Sequence, residues 1–149
     1  MSYYYLVMKN DTNLIIHLIS RIREKANRFI SAELKRYGIE GLLPVHGDIL
    51  FALMVYGELP MKRIAEIIDR KKSTVTTLVE KMETLGYVAK KKDETDNRIF
   101  LISLTEKGHR YREEIIEISN NVLQKLYKKM PYTEREQLVQ SLKAINDGW

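Results

Sequence analysis

Cysteine is absent from the 149-residue chain, which excludes disulfides, thiol redox switches, iron–sulfur ligation and cysteine-based zinc sites. Proline and glycine are scarce, at three and seven residues, too few for a collagen-like or disordered chain. No apolar run approaches the roughly 18 residues of a membrane span. The stretch 3–8 is too short for a signal-peptide core and lacks a cleavage site, so a cytoplasmic protein is expected. No glycine-rich loop that cradles phosphate occurs. The three histidines, His17, His46 and His109, fall on three different predicted helices, and no carboxylate at ligand spacing from them stands out. Catalysis needs a nucleophile with a base, paired carboxylates in a pocket, or a metal cluster. None is legible, and the expectation is a protein that is not an enzyme and uses no cofactor or metal.

What is present reads as a helix-rich globular protein, with 44% hydrophobic and 30% charged residues. Its length suits one ordinary domain or two small lobes that share elements. Apolar residues at Leu14, Leu18, Ile22, Ala26, Phe29, Ile30 and Leu34 mark one face of a long helix over 13–37. Pro44 suits the first turn of a second helix, striped by His46, Ile49, Leu50, Leu53 and Met54 and ending before Gly57. A short third helix opens at Pro60 with Met61, Ile64, Ala65 and Ile68 inward. After the polar turn 69–72, a fourth helix over 73–85 turns Val75, Leu78, Val79, Met82 and Leu85 inward, with Gly86 placed to end it. Two short helices joined by a tight turn outline a helix-turn-helix.

Beyond Gly86 the period changes from helix to strand. Residues 87–92 and 98–104 are predicted strands separated by the polar tip 93–97, hence a hairpin. Thr105 is predicted to cap a long helix carrying Ile115, Ile118, Val122, Leu126 and Met130, ended by Pro131. Thr133 and Glu136 have the spacing of a capping box for a last helix lined by Leu138, Leu142 and Ile145.

Charge locates the function. Between Arg70 and Lys92 lie seven basic residues and two acidic ones, so this stretch alone carries the net charge of +5. In a helix-turn-helix the second helix enters the major groove and needs an apolar back and an outer face of short polar and basic side chains. The fourth predicted helix has both. The candidate DNA-contacting residues are Lys71, Lys72, Ser73, Thr74, Thr76, Thr77 and Lys81 on that helix and its entry, with Lys90, Lys92, Asn97 and Arg98 on the hairpin. The lysines suit phosphates, whose contacts position a protein without specifying sequence. Arg98, just past the tip, suits a narrow minor groove.

The run 72–88, KSTVTTLVEKMETLGYV, followed by DETDNR at 93–98 and LTEKG at 104–108, resembles the multiple antibiotic resistance regulator (MarR) family, and the order of helices on either side matches it. The resemblance covers nearly the whole chain except the arm 3–9. It implies a mainly α fold with a small β-hairpin wing: a winged helix-turn-helix DNA-binding lobe at 44–104, flanked by long dimerisation helices at 1–43 and 105–149. It further implies a homodimeric transcription factor, a repressor on a pseudo-palindromic double-stranded operator, released by a small aromatic or anionic effector. By the same analogy His17, Arg21, Phe51, Met54, Tyr56, Tyr111 and Ile115 line an effector pocket. The chain departs from the family's pattern at three places. Asp69 and Arg70 stand where glycine and an apolar residue are common, Thr77 stands where a basic residue is common, and Asn97 replaces a first arginine at the tip.

Two alternatives differ in kind. A winged helix used for protein contacts would expose apolar residues on the recognition face, where this chain has Lys, Ser and Thr. One that bound RNA by stacking would expose aromatics beside the basic residues, and the wing offers only Tyr87 and Phe100, both expected in the core.

Overall fold

The computed structural model describes residues 11–149. The arm 3–9, which the resemblance leaves uncovered, lies outside the described residues. A 3-10 turn, Asp11–Leu14, leads into helix α1, Ile15–Arg36. A second 3-10 turn, Pro44–His46, opens α2, Gly47–Tyr56, with Pro44 at the first turn, where its missing N–H is no loss. Then follow strand β1, Leu59–Pro60, and helices α3, Met61–Ile67, and α4, Lys72–Thr84. Strands β2, Val88–Lys92, and β3, Phe100–Leu104, form the hairpin, and α5, Glu106–Arg110, α6, Arg112–Leu126, and α7, Tyr132–Asp147, complete the chain.

The sheet is antiparallel throughout, in the order β1-β3-β2. Sequence reading predicts only β2 and β3. Two residues, one of them proline, carry no alternation to read, and Pro60 is tolerated because β1 is an edge strand. Val88 pairs with Leu104, Lys90 with Ile102 and Lys92 with Phe100. One face of the hairpin therefore starts in the core and emerges into solvent along its length.

One apolar cluster holds these elements together. Ile49 and Leu53 of α2, Ile64 of α3, Val75, Val79 and Met82 of α4, and Tyr87, Val88 and Ile102 at the sheet are fully buried. Leu34 of α1 and Ile115 and Ile118 of α6 join the same cluster. Each such side chain contributes about 1.5–3 kcal/mol relative to exposure. The helix periods read from sequence therefore place the right faces inward.

Three expectations about the C-terminal half need correction. The helix predicted from Thr105 to Met130 is two helices, broken at Tyr111, whose φ and ψ are −94° and 13°. Tyr111 leaves helical geometry where its ring packs against Tyr87, with centroids 6.2 Å apart, and the next residue, Arg112, donates to the carbonyl of Met54 at 3.3 Å. The second helix stops at Leu126, and a turn precedes Pro131. The capping box of Thr133 and Glu136 does not form. Pro131 itself is the N-cap residue, in extended geometry without a side-chain cap, and Arg135 folds back to donate to the carbonyls of Met130 and Tyr127.

The apolar stripes divide. The second half of α1 enters the core, but Ile15, Ile16, Leu18 and Ile19 are exposed, and α7 buries no residue, leaving Leu138, Leu142 and Ile145 open. Among the described residues no helix is long and apolar enough to cross a membrane.

Among the described residues His46 is the one buried charged or polar side chain. Its Nδ1 accepts the Leu43 amide at 2.9 Å, which requires an unprotonated Nδ1. Burial holds its pKa below the ordinary 6.5, and the charge of Lys81 acts in the same direction. A histidine pKa depressed by folding gives stability that is complete above about pH 6.5 and is lost as pH falls through the folded value. The midpoint of urea unfolding is therefore expected to drop below pH 6.5 in the natural chain and to drop less steeply in His46→Gln. Identical slopes for the two would remove His46 as the source.

Candidate nucleic-acid interface

Helix α4 presents the face the sequence predicts. Val75, Val79 and Met82 are fully buried, whereas Lys72, Ser73, Thr74, Thr77, Glu80 and Lys81 are exposed and Thr76 is half-buried. The turn before it depends on Asp69, the one non-glycine residue with positive φ among those described, at +50°. Aspartate tolerates this left-handed geometry better than most residues, so the family's glycine is replaceable here. Arg70 is exposed, and its backbone amide closes the turn on the Ala65 carbonyl at 3.0 Å. Lys71 is the N-cap residue in extended geometry, with no side-chain cap on the first turn. The leading amides of α4 thus stay open to an acceptor from outside, with the positive end of the helix dipole behind them.

The hydroxyls of Thr76 and Thr77 donate to the carbonyls of Lys72 and Ser73, at 2.9 and 3.2 Å. Sequence reading places both on the outer face of the helix as candidate DNA contacts. In the structure their protons are engaged on the helix, and what they offer outward is oxygen lone pairs and methyl groups.

The C-terminal end of α4 is anchored by Gly86 and Thr105, to which sequence reading gave other or lesser parts, and by Lys107 and Tyr87. Gly86, at φ +82°, turns the chain out of the helix. Lys107 donates to the Leu85 carbonyl at 2.7 Å, and its ammonium lies 4.4 Å from the centre of the Tyr87 ring. The Tyr87 hydroxyl donates to the Glu40 carbonyl at 2.8 Å. Thr105 accepts the Gly108 amide at 3.1 Å as predicted, and its hydroxyl also donates to the Gly86 carbonyl. A β-carbon on Gly108 would overlap the Tyr87 carbonyl oxygen, so only glycine fits that approach. The run 104–108 signalled these contacts through the family resemblance, but their partners lie far off in sequence.

On the wing the lysines differ in state. Lys91 pairs with Glu58 at 2.7 Å, which raises its pKa. Lys90 and Lys92 lie on the opposite face, exposed and without an ion pair among the described residues, with the Lys90 ammonium 5.3 Å from the centre of the Phe100 ring. Alternation along the strand sorts them, consistent with choosing Lys90 and Lys92 over Lys91 from sequence. Phe100 is exposed, not in the core as expected, because it sits opposite Lys92, beyond the reach of the helices. Tyr87 is buried as expected.

The tip is a fastened turn. One Asp93 carboxylate oxygen accepts the amides of Thr95 and Asp96, at 2.7 and 3.1 Å, and the Thr95 hydroxyl. These hydrogen bonds, those from Thr95 foremost, hold the Asp93 carboxyl below the usual carboxylate range. Asp96 receives Nε and Nη2 of Arg98, both at 3.0 Å, and the Arg98 amide at 3.0 Å, which lowers its pKa likewise. Arg98 nonetheless remains 90% exposed, held extended beside exposed Asn97.

The effector residues named by analogy do not converge. Phe51 and Ile115 line a cavity of about 200 Å³ between α1, α2 and α6. Met54 is buried elsewhere in the core, and Tyr111 packs on Tyr87. Tyr56 is 59% exposed beside a shallow hollow between α2 and α3 that Phe51 also reaches. His17 is exposed, and so is Arg21, 3.9 Å from Glu24. The cavity's other walls include Ile30, Leu34 and Ile118, which sequence reading placed on plain helical stripes, and Leu42, to which it gave no part.

Helix, turn, helix and a projecting two-stranded wing define a winged helix-turn-helix protein. A MarR family profile matches residues 40–99. The transcriptional repressor MprA of Escherichia coli strain K12 is 24% identical over 140 residues, 90% of this chain and 73% of its own length. The organic hydroperoxide resistance transcriptional regulator of Bacillus subtilis is 32% identical over 50% of this chain and 50% of its own. Among solved structures, a mutant of E. coli MarR complexed with operator DNA superposes with a TM-score of 0.77 at 18% identity, covering 91% of this chain and 96% of that one. Residues 40–99 are thus similar to the MarR family, and the fold is that of solved MarR regulators.

The tip's geometry generates a test independent of any ligand. Asp93→Ala removes one acceptor serving three donors at a solvated site, so global stability is expected to change little. The exchange of the Thr95 and Asp96 amides is expected to accelerate about tenfold, as a lost hydrogen bond of about 1–1.5 kcal/mol dictates. Unchanged exchange at Thr95 would mean that the turn holds itself without Asp93.

Proposed function

We propose that this chain is a sequence-specific double-stranded-DNA-binding transcriptional regulator, a homodimeric repressor released from a pseudo-palindromic operator by a small effector. In this reading residues 44–104 form the DNA-binding lobe and 1–43 with 105–149 the dimerisation region. The observation that carries it is the distribution of unpaired cations. Lys71, Lys72, Lys81, Lys90 and Lys92 are exposed without an ion pair among the described residues, and all flank the open face of α4 or the wing.

The naming of an E. coli relative as a repressor and the solution of another regulator with operator DNA support the reading. So does a Streptomyces coelicolor regulator, PcaV, solved with its natural ligand. The exposed apolar residues of α1 and α7 supply a self-complementary surface for a second copy. Such a dimer places two α4 helices on half-sites about 34 Å apart. The ends of α4 and Lys90 and Lys92 take phosphates, Ser73, Thr76 and Thr77 face base edges, and Arg98 enters the flanking minor groove.

The test is footprinting on DNA upstream of the gene and its neighbours, then titration of variants on the protected site. Lys71→Ala or Lys72→Ala is expected to weaken all duplexes about equally and to reduce the salt slope by about one per phosphate contact. Thr76→Ala or Thr77→Ala is expected to reorder operator variants, where a mismatched pair costs about 1–3 kcal/mol. Threonine variants that leave the order untouched would displace α4 from the groove.

Arg98→Ala is expected to weaken binding several-fold, most on A·T-rich flanks, while the melting temperature stays within the small range of exposed pairs. Arg98→Lys is expected to restore only part of the loss, because lysine lacks the planar fork. Loss of stability without loss of affinity would make Arg98 a structural partner of Asp96 alone.

A further inference from the structure

The outer ridge of α4 carries no long donor. Ser73, Thr77, Glu80 and Thr84, spaced by four, three and four residues, form one line along the helix, opposite the buried Val75, Val79 and Met82. All four are exposed. The cations within the helix, Lys72 and Lys81, stand to either side of that line, on the flanks from which a groove-bound helix reaches phosphates.

Both threonines of the line have their hydroxyl protons engaged on the helix. Thr77 donates to the Ser73 carbonyl at 3.2 Å and Thr84 to that of Glu80 at 2.9 Å. Thr76, half-buried beside the line, is held in the same way by the Lys72 carbonyl. A threonine's hydroxyl oxygen and methyl carbon share one β-carbon, so fixing the oxygen fixes the direction of the methyl. The middle of the ridge therefore offers a methyl group in a set direction beside oxygen lone pairs. Glu80 adds acceptors only. Ser73 stands in the first turn of the helix, beside the open amides.

The major-groove edge of guanine carries acceptors alone, with which Thr77 has no proton to pair. Adenine presents an amino donor, and thymine the one methyl group among the four bases. An A·T pair thus shows both complements of a fixed methyl beside a lone pair. We propose that Thr77 is a specificity-determining residue that reads an A·T pair in each half-site, its methyl against the thymine 5-methyl and its hydroxyl oxygen accepting from the adenine amino group. This role rests on the reading of α4 as the groove-entering helix and adds the base pair it selects. A lysine or arginine at position 77 would favour guanine instead.

The experiment is selection of duplexes by the full chain from a pool of random sequence. The selected duplex is then titrated with single thymines replaced by uracil, which lacks only the 5-methyl group. One replacement per half-site is expected to weaken binding about three- to fourfold, the scale of one methyl group withdrawn from water. At the same pair, 5-methylcytosine opposite guanine is expected to bind better than cytosine opposite guanine, because it restores the methyl. Thr77→Ser, which retains a hydroxyl for the helix carbonyl, is expected to bind the thymine and uracil duplexes alike. Thr77→Val, with a methyl but no acceptor, is expected to keep the uracil effect while binding the selected duplex less tightly.

A uracil effect of the same size in Thr77→Ser, or none at any position of an enriched site, overturns this role and leaves the DNA-binding reading standing. Thr77→Val that binds as tightly as the natural chain overturns the contact with adenine. A pool that stays random overturns operator recognition and this role with it.

Discussion

The Tyr87 carbonyl accepts the Thr105 amide at 3.1 Å, and at the same point Gly108 approaches too closely to carry a β-carbon. Much else depends on this crossing. On one side the chain has just left α4; on the other it is about to enter α5 and α6. Thr105 and Lys107 take up the Gly86 and Leu85 carbonyls left open where the helix ends, and Tyr87 ties the crossing to the Glu40 carbonyl of the loop after α1. Helix α4, the hairpin and the long C-terminal helices are therefore fixed to one another by part-buried polar contacts as well as by apolar packing. A shift at this junction would move α4 relative to the stalk, so its rigidity sets how faithfully the helix is presented.

Electrostatic pairing gives the surface its second level of order. Acids occupy the cations that stabilise or shape the chain, as Glu58 does for Lys91 and Asp96 for Arg98. The lysines around α4, and Lys90 and Lys92 where β2 emerges into solvent, are left without such partners among the described residues. Free ammonium groups at exposed sites contribute little to stability. Their concentration in one region is accordingly better explained by a polyanion than by the needs of the fold.

The sequence made the helices and most of their inward faces legible, because burial at a period of 3.6 residues is local information. Val75, Val79 and Met82 sit where their spacing puts them, and α4 begins and ends within a residue of the expected bounds. What escaped was decided by distant partners. β1 exists only because β3 lies beside Leu59 and Pro60, and the break at Tyr111 reflects Tyr87 and Met54, which no window around position 111 contains. The capping box at Thr133 failed for a local reason, since Pro131 starts the helix two residues earlier. Residue types made the basic character of α4 and the wing legible, while the back-bonded state of Thr76 and Thr77 needed coordinates. Of the cavity between α1, α2 and α6 only Phe51 and Ile115 were named from sequence, by analogy, because stripes such as that of Ile30 and Leu34 are read as a packed interior.

The pairing of α1 with α6 also has a consequence for the order in which the protein is made. Synthesis runs from the N-terminus, so α1 leaves the ribosome well before its companion α6. Until the whole of the winged segment has emerged, the half of α1 that ends in the core has only its nearer neighbours to cover it. The chain must therefore carry an uncovered apolar helix through most of its synthesis, a period in which chaperones, or another nascent copy of the same chain, meet that helix before α6 does.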